Sequence, residues 1–235
     1  MYDASVTDRP TRVTAWQGGL FAGGEPSIDR AFSGVQRVNL DDDSWCDYLP
    51  GWLTGADAVF GELAERLVWR QRRVPMYERM VDEPRLTWWW TPSTRRPIPL
   101  TVMDEMLIAL TRRYRLNFDS IGCNYYRDGR DSVAWHGDRH RHWVTEPVIA
   151  IVSVGEPRSF LLRPRGGGRA QRFELGHGDL LVMGGASQDR WEHAVPKVSH
   201  AGPRISITYR HGTGDFSEPD ERETGGRVRS SVPGC

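Results

Sequence analysis

Lysine is nearly absent from this chain of 235 residues, because Lys197 is the only lysine among 31 basic residues. Cysteine is scarce as well: the chain has three, at positions 46, 123 and 235, far apart and without C-x-x-C spacing. That pattern argues against a disulfide framework or a cysteine zinc site and favours a reducing compartment, so we expect a cytoplasmic protein. Apolar runs are short, and none approaches the ~18 residues of a membrane span. We therefore expect no membrane partner.

The charges balance, with 31 basic and 31 acidic residues and a formal net charge of +0. Net charge alone therefore predicts no nucleic-acid partner. The dominance of arginine is more informative, because a planar guanidinium forms bidentate hydrogen bonds to carboxylates and phosphates. Genomic base composition can also enrich arginine without any functional cause, so both explanations stay open. The 38% of hydrophobic residues indicates a folded chain.

Helical patterns are confined to the first half of the chain. One helix is expected after Thr54, a candidate N-cap, and its apolar face would comprise Val59, Phe60, Leu63 and Leu67. A second helix is expected over residues 101–114, where Thr101 and Asp104 suggest a capping box. Its buried stripe would comprise Met103, Met106, Leu107, Leu110 and Tyr114.

Short β-like segments separated by Gly, Pro and Asp fill the chain after residue 117. We predict eight strands, near 118–126, 132–136, 147–154, 158–163, 170–175, 179–184, 190–195 and 203–210. That spacing favours a sandwich, a barrel or a jelly roll over a parallel sheet, and gives an α+β fold in one catalytic-sized domain. An irregular arm is expected over 1–37, helical support over 38–116, a β core over 117–212 and a disordered tail over 213–235.

The first chemical signal is His136 with Asp138, in the sequence WHGD. Residues two apart on a strand point to the same side, so both can reach one ion. Two nitrogen ligands and a carboxylate form the facial triad of non-haem Fe(II) oxygenases, which requires a second histidine. His193, 55 positions after Asp138, leaves room for the chain to return across several strands. A second H-x-D, His177 with Asp179, is bracketed by glycines and lies too close to His193, so we interpret it as a turn.

Two further patterns lie on predicted strands. The segment 204–210 alternates strictly and places Arg204 and Arg210 on one face, roughly 20 Å apart along an extended strand. The two guanidinium groups could hold both ends of a small dicarboxylate, although an edge strand with a charged, wet face is the alternative. Asn124 and Tyr126 also share a face and offer an amide and a phenol for hydrogen bonds.

Taken in order, these motifs resemble the AlkB family of iron- and 2-oxoglutarate-dependent dioxygenases. The matching patterns are N-x-Y-x-x-G at 124–129, H-x-D at 136–138, a distal histidine within 192–197, and R-x-x-x-x-x-R within 203–210. The resemblance covers roughly residues 37–212. It implies a double-stranded β-helix, which is a jelly roll, buttressed by helices and carrying an N-terminal nucleotide-recognition lid.

The same resemblance implies the roles of individual residues. It assigns Fe(II) to His136, Asp138 and His193, and 2-oxoglutarate to Asn124, Tyr126, Arg204 and Arg210. Arg204 would pair with the distal carboxylate and Arg210 would lie nearer the metal-bound one. With O₂, such enzymes convert 2-oxoglutarate to succinate and CO₂ and oxidise an N-alkyl group on a base, whose carbon leaves as an aldehyde.

Two positions depart from the family pattern. An acidic residue that often follows the iron-binding Asp by two places is replaced by His140, which puts base preference in doubt and stays a candidate substrate contact. An Asn that often follows the first Arg of the last motif by two places is replaced by Ser206. This second change concerns only the fine support of the cosubstrate.

A base inside a duplex cannot reach a buried iron, so it must be flipped out or presented single-stranded. By similarity to the family's lid, Trp88 and Trp90 on one face of the segment 84–90 would line the base pocket, with a tryptophan core as the alternative. Arginines around a triple-glycine hairpin tip would grip phosphates, or would simply be solvated. These rim candidates are Arg158, Arg163, Arg165, Arg169 and Arg172, with a second cluster at Arg66, Arg70, Arg72 and Arg73.

These observations predict a monomeric DNA repair dioxygenase that removes N-alkyl lesions from single- or double-stranded DNA. The same chemistry on RNA or on a small molecule is one alternative. A non-catalytic β-helix module that binds nucleic acid or a sugar is another. The intact iron and 2-oxoglutarate motifs argue against the binding module, which would have no need of them.

Overall fold

The computed structural model describes residues 24–76, 79–138, 144 and 146–212. The first 23 residues of the predicted arm, the predicted tail and His140 lie outside these ranges. Within them, no helix is long and apolar enough to cross a membrane. The strands are β1 (Ser27–Ile28), β2 (Gln36–Asn39), β3 (Ser44–Leu49), β4 (Leu53–Thr54), β5 (Arg73–Met76), β6 (Arg79–Asp82), β7 (Leu86–Trp90), β8 (Phe118–Tyr126), β9 (Val133–His136), β10 (Ile149–Gly155), β11 (Arg158–Pro164), β12 (Gln171–Leu175), β13 (Asp179–Gly185), β14 (Trp191–Val195) and β15 (Arg204–His211). The α-helices are α1 (Ala56–Arg66), α2 (Thr101–Tyr114) and the single turn α3 (Ser187–Arg190), and a 3-10 turn covers Pro92–Thr94.

Two antiparallel sheets form the jelly roll. The larger has seven strands in the order β2-β3-β13-β10-β15-β8-β7, and the smaller has four in the order β12-β11-β14-β9. Two further pairs, β1 with β4 and β5 with β6, stand apart from these sheets. The double-stranded β-helix implied by the sequence is therefore confirmed.

All eight strands predicted after residue 117 are present, each within two residues of its predicted ends. Strand β3 is an addition, because it continues the large sheet beyond β13 and the sequence pattern did not indicate it. Its apolar pattern is interrupted by Asp47, a buried acid that Arg37 contacts through two nitrogens at 2.7 Å each and to which the Tyr114 hydroxyl donates at 3.0 Å. The local hydrophobic pattern does not predict this strand, because the buried charge of Asp47 is stabilised by partners that are distant along the chain.

The two predicted helices are present, but their predicted caps are wrong. Helix α1 has Gly55 at its N-cap in a left-handed conformation, and the Thr54 hydroxyl instead contacts that of Ser27 at 2.8 Å. Helix α2 has Leu100 at its N-cap, without a side-chain hydrogen bond, because Thr101 already lies inside the helix. Its buried stripe is largely as predicted and includes Met103, Met106 and Leu110.

Two apolar cores lie on opposite faces of the large sheet. The outer core joins α1 and α2 to the sheet, and the inner core fills the space between the two sheets. Strand β15 lies between the two, because Ile205 and Ile207 enter the outer core while Arg204, which precedes them and lies on the other face, is buried in the interior. Since β15 lies between β10 and β8 and is almost fully buried, the alternative of an edge strand with a wet face is wrong.

Candidate active site

Three side chains with metal-binding atoms meet between the sheets. His136 ends β9 and His193 lies in β14, and the two residues are directly opposite each other in the antiparallel pair. Asp138 follows two residues after His136. The ligand atoms of these three residues all lie within 4.8 Å of one another, so the predicted triad is assembled.

Charges around Asp138 keep the triad in its metal-binding form. Burial would raise the pKa of Asp138, but the positive charge of Arg210, whose Nη2 donates to Oδ1 at 2.9 Å, and the neighbouring histidines hold it well below its usual value. Burial also lowers the pKa of His193 to about 4, so its ring is neutral near pH 7. An ionised carboxylate and a neutral imidazole are the forms that ligate a metal.

Both histidine rings are held in place by neighbours. Nδ1 of His136 lies 2.9 Å from the carbonyl oxygen of Ala134, which favours the tautomer that leaves Nε2 free as a ligand. The ring of Phe160 stacks on that of His193 with centroids 5.1 Å apart. The donor set and its supports fit an Fe(II) ion.

A buried arginine at the other end of β15 fits a carboxylate. Arg204 is 1% exposed, and its Nε donates to the Ser153 hydroxyl at 2.9 Å. Its Nη1 is buried without a hydrogen-bond partner, and none of the described carboxylates pairs with it. Burial lowers the pKa of this guanidinium, which reflects the cost of leaving its charge unpaired. This site fits the distal carboxylate of 2-oxoglutarate.

The amide and phenol of the N-x-Y motif lie beside Arg204. In the pairing of β8 with β15, Tyr126 is opposite Arg204 and Asn124 is opposite Ser206. The guanidinium carbon of Arg204 is 5.2 Å from the centroid of the Tyr126 ring. The two motifs therefore share one interior face, and Ser206 stands next to the amide that lines it.

The second H-x-D is a turn between β12 and β13, as predicted. Nδ1 of His177 accepts a hydrogen bond from the backbone N–H of Gly155 at 2.8 Å. Its Nε2 lies 3.3 Å from a carboxylate oxygen of Asp57 on α1. These contacts tie the turn to the large sheet and its outer helix, away from the triad.

The tryptophan strand presents a different face to the site from the one predicted. In β7, Trp88 and Trp90 lie opposite Cys123 and Ile121 and pack against the outer core, so the prediction that they line a base pocket is wrong. Trp89 is the tryptophan on the interior face, where it is 46% exposed and its ring centroid lies 5.0 Å from the guanidinium carbon of Arg210. It lies opposite Gly122, which gives the indole room, because a Cβ there would lie 3.1 Å from the ring.

The predicted arginine rim is only partly exposed. Arg158 is 2% exposed and cannot belong to a rim, whereas Arg163 pairs with Glu192 at 2.5 Å and lies over the Trp135 ring. Arg165, Arg169 and Arg172 are exposed, and of these Arg172 is the one paired with Glu174.

Arg165 is the rim residue nearest the triad. Its Nη2 donates to the carbonyl of Gln188 at 2.8 Å, and any side chain at position 137 would collide with that same nitrogen. The glycine of the H-x-D motif therefore allows an exposed arginine to reach the metal-binding loop. His140 lies outside the described residues, so its predicted substrate contact stays a prediction.

Comparison with known proteins identifies the same family. The family model described as the 2OG-Fe(II) oxygenase superfamily matches residues 48–210. Over 199 residues the chain is 34% identical to alpha-ketoglutarate-dependent dioxygenase alkB homolog 3 of Mus musculus, covering 76% of this chain and 67% of that protein. It is 27% identical over 231 residues to DNA oxidative demethylase ALKBH2 of Homo sapiens, covering 88% and 84%.

A solved structure supports the fold. That of OsALKBH1 superposes with a TM-score of 0.52 at 16% identity, covering 75% of this chain and 100% of the other. Because the sequence identity is low, this likeness concerns the fold alone. With the matched family model, the sequence relatives and the assembled triad, the chain belongs to the AlkB family of 2-oxoglutarate- and Fe(II)-dependent oxygenases.

Proposed function

We propose that this protein oxidatively removes N-alkyl groups from DNA bases and releases succinate, CO₂ and an aldehyde. One observation carries the proposal: a metal triad and a buried arginine without an acidic partner among the described residues share one interior, and an exposed indole and an exposed guanidinium lie beside the triad. The relatives named as an alpha-ketoglutarate-dependent dioxygenase and a DNA oxidative demethylase agree with this substrate class.

The metal-binding and cosubstrate-binding residues have separate roles. His136, Asp138 and His193 hold Fe(II), and Arg204 binds the distal carboxylate of 2-oxoglutarate, with Asn124 and Tyr126 beside it. Arg210 keeps Asp138 ionised and oriented by donating to the oxygen Oδ1. Bound Fe(II) and 2-oxoglutarate supply the oxidising chemistry with O₂. The inner core packs in the space between the two sheets around this interior.

The substrate enters where the interior opens. A target base must leave its stack to reach the metal, and an exposed aromatic ring offers it a replacement surface. Trp89 provides that surface on the same face as Arg210. Arg165 stands at the metal-binding loop, where its charge can hold a backbone phosphate.

The proposal is tested by product analysis with the iron-loaded protein. Oligonucleotides carrying N-methylated bases, as single-stranded DNA, duplex DNA and RNA, are compared with a panel of metabolites, and succinate and formaldehyde are measured together. We expect the two products in equal amounts with methylated DNA. Stoichiometric products only with RNA or with a metabolite would replace DNA as the substrate. Ligand binding without either product from any substrate would favour a non-catalytic module.

A further inference from the structure

Two buried arginines converge at the end of the interior that lies away from the metal triad. Arg158 begins β11 and is 2% exposed, and Arg204 begins β15 and is 1% exposed. Arg158 shares its strand face with Phe160 and Leu162, which belong to the inner core, so it points between the sheets. The ring of Tyr126 lies between the two groups, 5.7 Å from the guanidinium carbon of Arg158 and 5.2 Å from that of Arg204.

The hydrogen bonds of Arg158 reach backbone carbonyls and no carboxylate of the described residues. Its two terminal nitrogens donate to the backbone carbonyls of Asp128, Asp131 and Pro196 at 3.1, 2.9 and 2.7 Å, and its Nε is buried without a partner. The carboxylates of Asp128 and Asp131 are occupied by other arginines, Arg130 and Arg127 respectively. Burial lowers the pKa of Arg158, as it does that of Arg204.

Two buried positive charges this close together, neither in an ion pair with a described carboxylate, are unfavourable unless an anion joins them. A 2-oxo acid held at the triad extends toward this end of the interior, so its far end meets both charges. Arg204 has the free Nη1 that can bind a carboxylate directly, whereas Arg158 contributes through its field across Tyr126. One arginine would be enough to bind a distal carboxylate. With two, a ligand that lacks this carboxylate leaves both charges unpaired and should bind weakly.

We propose that Arg158 is a specificity-determining residue of the cosubstrate pocket, which selects 2-oxo acids that carry a distal carboxylate. The inference rests on 2-oxoglutarate being the cosubstrate, as in the proposed function. The alternative is a purely structural role, in which Arg158 only ties the turn before β9 to the segment after β14 through its three carbonyl contacts. The two roles predict different behaviour toward ligands that differ only in the distal carboxylate.

The test compares 2-oxoglutarate with 2-oxopentanoate, which has the same carbon chain but no distal carboxylate. Isothermal titration calorimetry of the Mn(II)-loaded protein gives both dissociation constants without turnover. In Arg158→Met we expect binding of 2-oxoglutarate to weaken about tenfold, on the scale of a buried charge acting across several ångströms, with 2-oxopentanoate changed less than about twofold. Equal weakening of both ligands, or of neither, would overturn the proposal.

A charge-conserving variant separates selectivity from folding. Arg158→Lys keeps the positive charge but loses most of the hydrogen bonds to the three backbone carbonyls. Its melting temperature should therefore fall while its preference for 2-oxoglutarate persists. If Arg158→Lys loses the preference as fully as Arg158→Met, the contacts and not the charge are responsible, and the proposal fails. Arg163→Met is the matched control, because that side chain lies on the opposite face of β11 and pairs with Glu192; its preference should be unchanged.

A third variant keeps the test decisive if Arg158→Met does not fold. In Arg204→Met, Arg158 is the one of the two buried arginines that remains, so 2-oxoglutarate should bind weakly but still better than 2-oxopentanoate. A complete loss of preference would show that Arg158 contributes nothing. If the unaltered protein itself shows no preference, the assignment of 2-oxoglutarate as cosubstrate fails instead, which is a separate result.

Discussion

The arginines near the two ends of β15 have the same chemistry and opposite surroundings. Arg210 belongs to the protein's own charge network, since it donates to Asp138 at 2.9 Å and lies against the ring of Trp89. Arg204, six positions earlier on the same face, is buried and forms no ion pair with a carboxylate in the described part of the chain, although each of the two arginines has a buried Nη1 without a hydrogen-bond partner there. One strand therefore carries one arginine paired with an acid of the metal triad and one whose charge has no acidic partner among the described residues. Substitutions at the Arg210 end should weaken metal binding, and substitutions at the Arg204 end should weaken 2-oxoglutarate binding.

The largest effect is expected at the metal end itself. Replacing Asp138 with Ala removes the only carboxylate of the triad and leaves Arg210 without its acidic partner. We expect turnover to be abolished, with succinate formation at background in an assay with saturating 2-oxoglutarate. His193→Ala and His136→Ala should behave in the same way, because each removes one of two nitrogen ligands.

The second H-x-D provides a matched control for this prediction. His177→Ala removes a histidine of the same local sequence pattern that contacts Gly155 and Asp57 rather than the triad. We expect it to retain turnover, with a lower melting temperature. Normal activity in His193→Ala, or loss of activity in a folded His177→Ala, would contradict the assignment of the metal site.

The next effect is expected at the ligand end. Arg204→Ala would leave a cosubstrate carboxylate unpaired in a buried pocket, which should cost roughly 2–5 kcal/mol of binding free energy. Arg204→Lys should recover only part of that loss, because an ammonium cannot fork onto a carboxylate. Calorimetric titration with 2-oxoglutarate measures both variants, while their affinity for Mn(II) should stay near that of the unaltered protein. An unchanged affinity for 2-oxoglutarate in Arg204→Ala would remove this residue from the pocket.

A smaller effect is expected from Arg210→Met, and it should appear in the dissociation constant of the metal rather than in that of 2-oxoglutarate. Groups that orient metal ligands typically contribute about 10- to 100-fold in metal affinity, and Arg210 orients Asp138. Competition with a chelator should therefore show weaker binding of Fe(II) or Mn(II). With the metal saturating, 2-oxoglutarate should lose less affinity than it does in Arg204→Ala. If Arg210→Met weakened only 2-oxoglutarate, the distinction between the two ends of β15 would be lost.

The sequence indicated the strands after residue 117 and the pair of His136 and Asp138 because both depend on local spacing, whereas His193 was assigned from the need for a second histidine and from the order of the motifs. Alternation and the residues that form turns marked all eight strands after residue 117, and H-x-D fixed which ligands share a side. Strand β3 was missed, because its central Asp47 is neutralised by Arg37 from another strand. A partner that is distant along the chain leaves no local signal.

The tryptophan strand shows a second limit of local patterns. Alternation correctly separated Trp89 from Trp88 and Trp90, but it does not reveal which face meets the site. That is decided by the register with β8, in which Thr87 lies opposite Asn124 and so shares the face of the N-x-Y motif. Arg158 shows a third limit, since its burial depends on three backbone carbonyls from distant segments.

The smallest effect concerns the opening of the interior, where Trp89 lies beside the Arg210 end of β15. Base–aromatic stacking is worth roughly 1–3 kcal/mol by alanine substitution, and the lower half of that range applies to an indole that is already partly covered by a guanidinium. Trp89→Ala should therefore weaken binding of an alkylated oligonucleotide about 5- to 30-fold. Fluorescence anisotropy with the Mn(II)-loaded protein measures this loss without turnover.

The comparison with Trp88→Ala makes the last prediction decisive. Trp88 packs against the outer core, so its truncation should lower the melting temperature and leave oligonucleotide affinity nearly unchanged in the folded fraction. Trp89→Ala should show the reverse, and it should still decarboxylate 2-oxoglutarate slowly without substrate, because that reaction needs only the triad and Arg204. If Trp89→Ala instead lost metal affinity as Arg210→Met does, the indole would serve as a brace for Arg210 rather than as a surface for the base. Trp89 would then support the metal site and would not contact the substrate base.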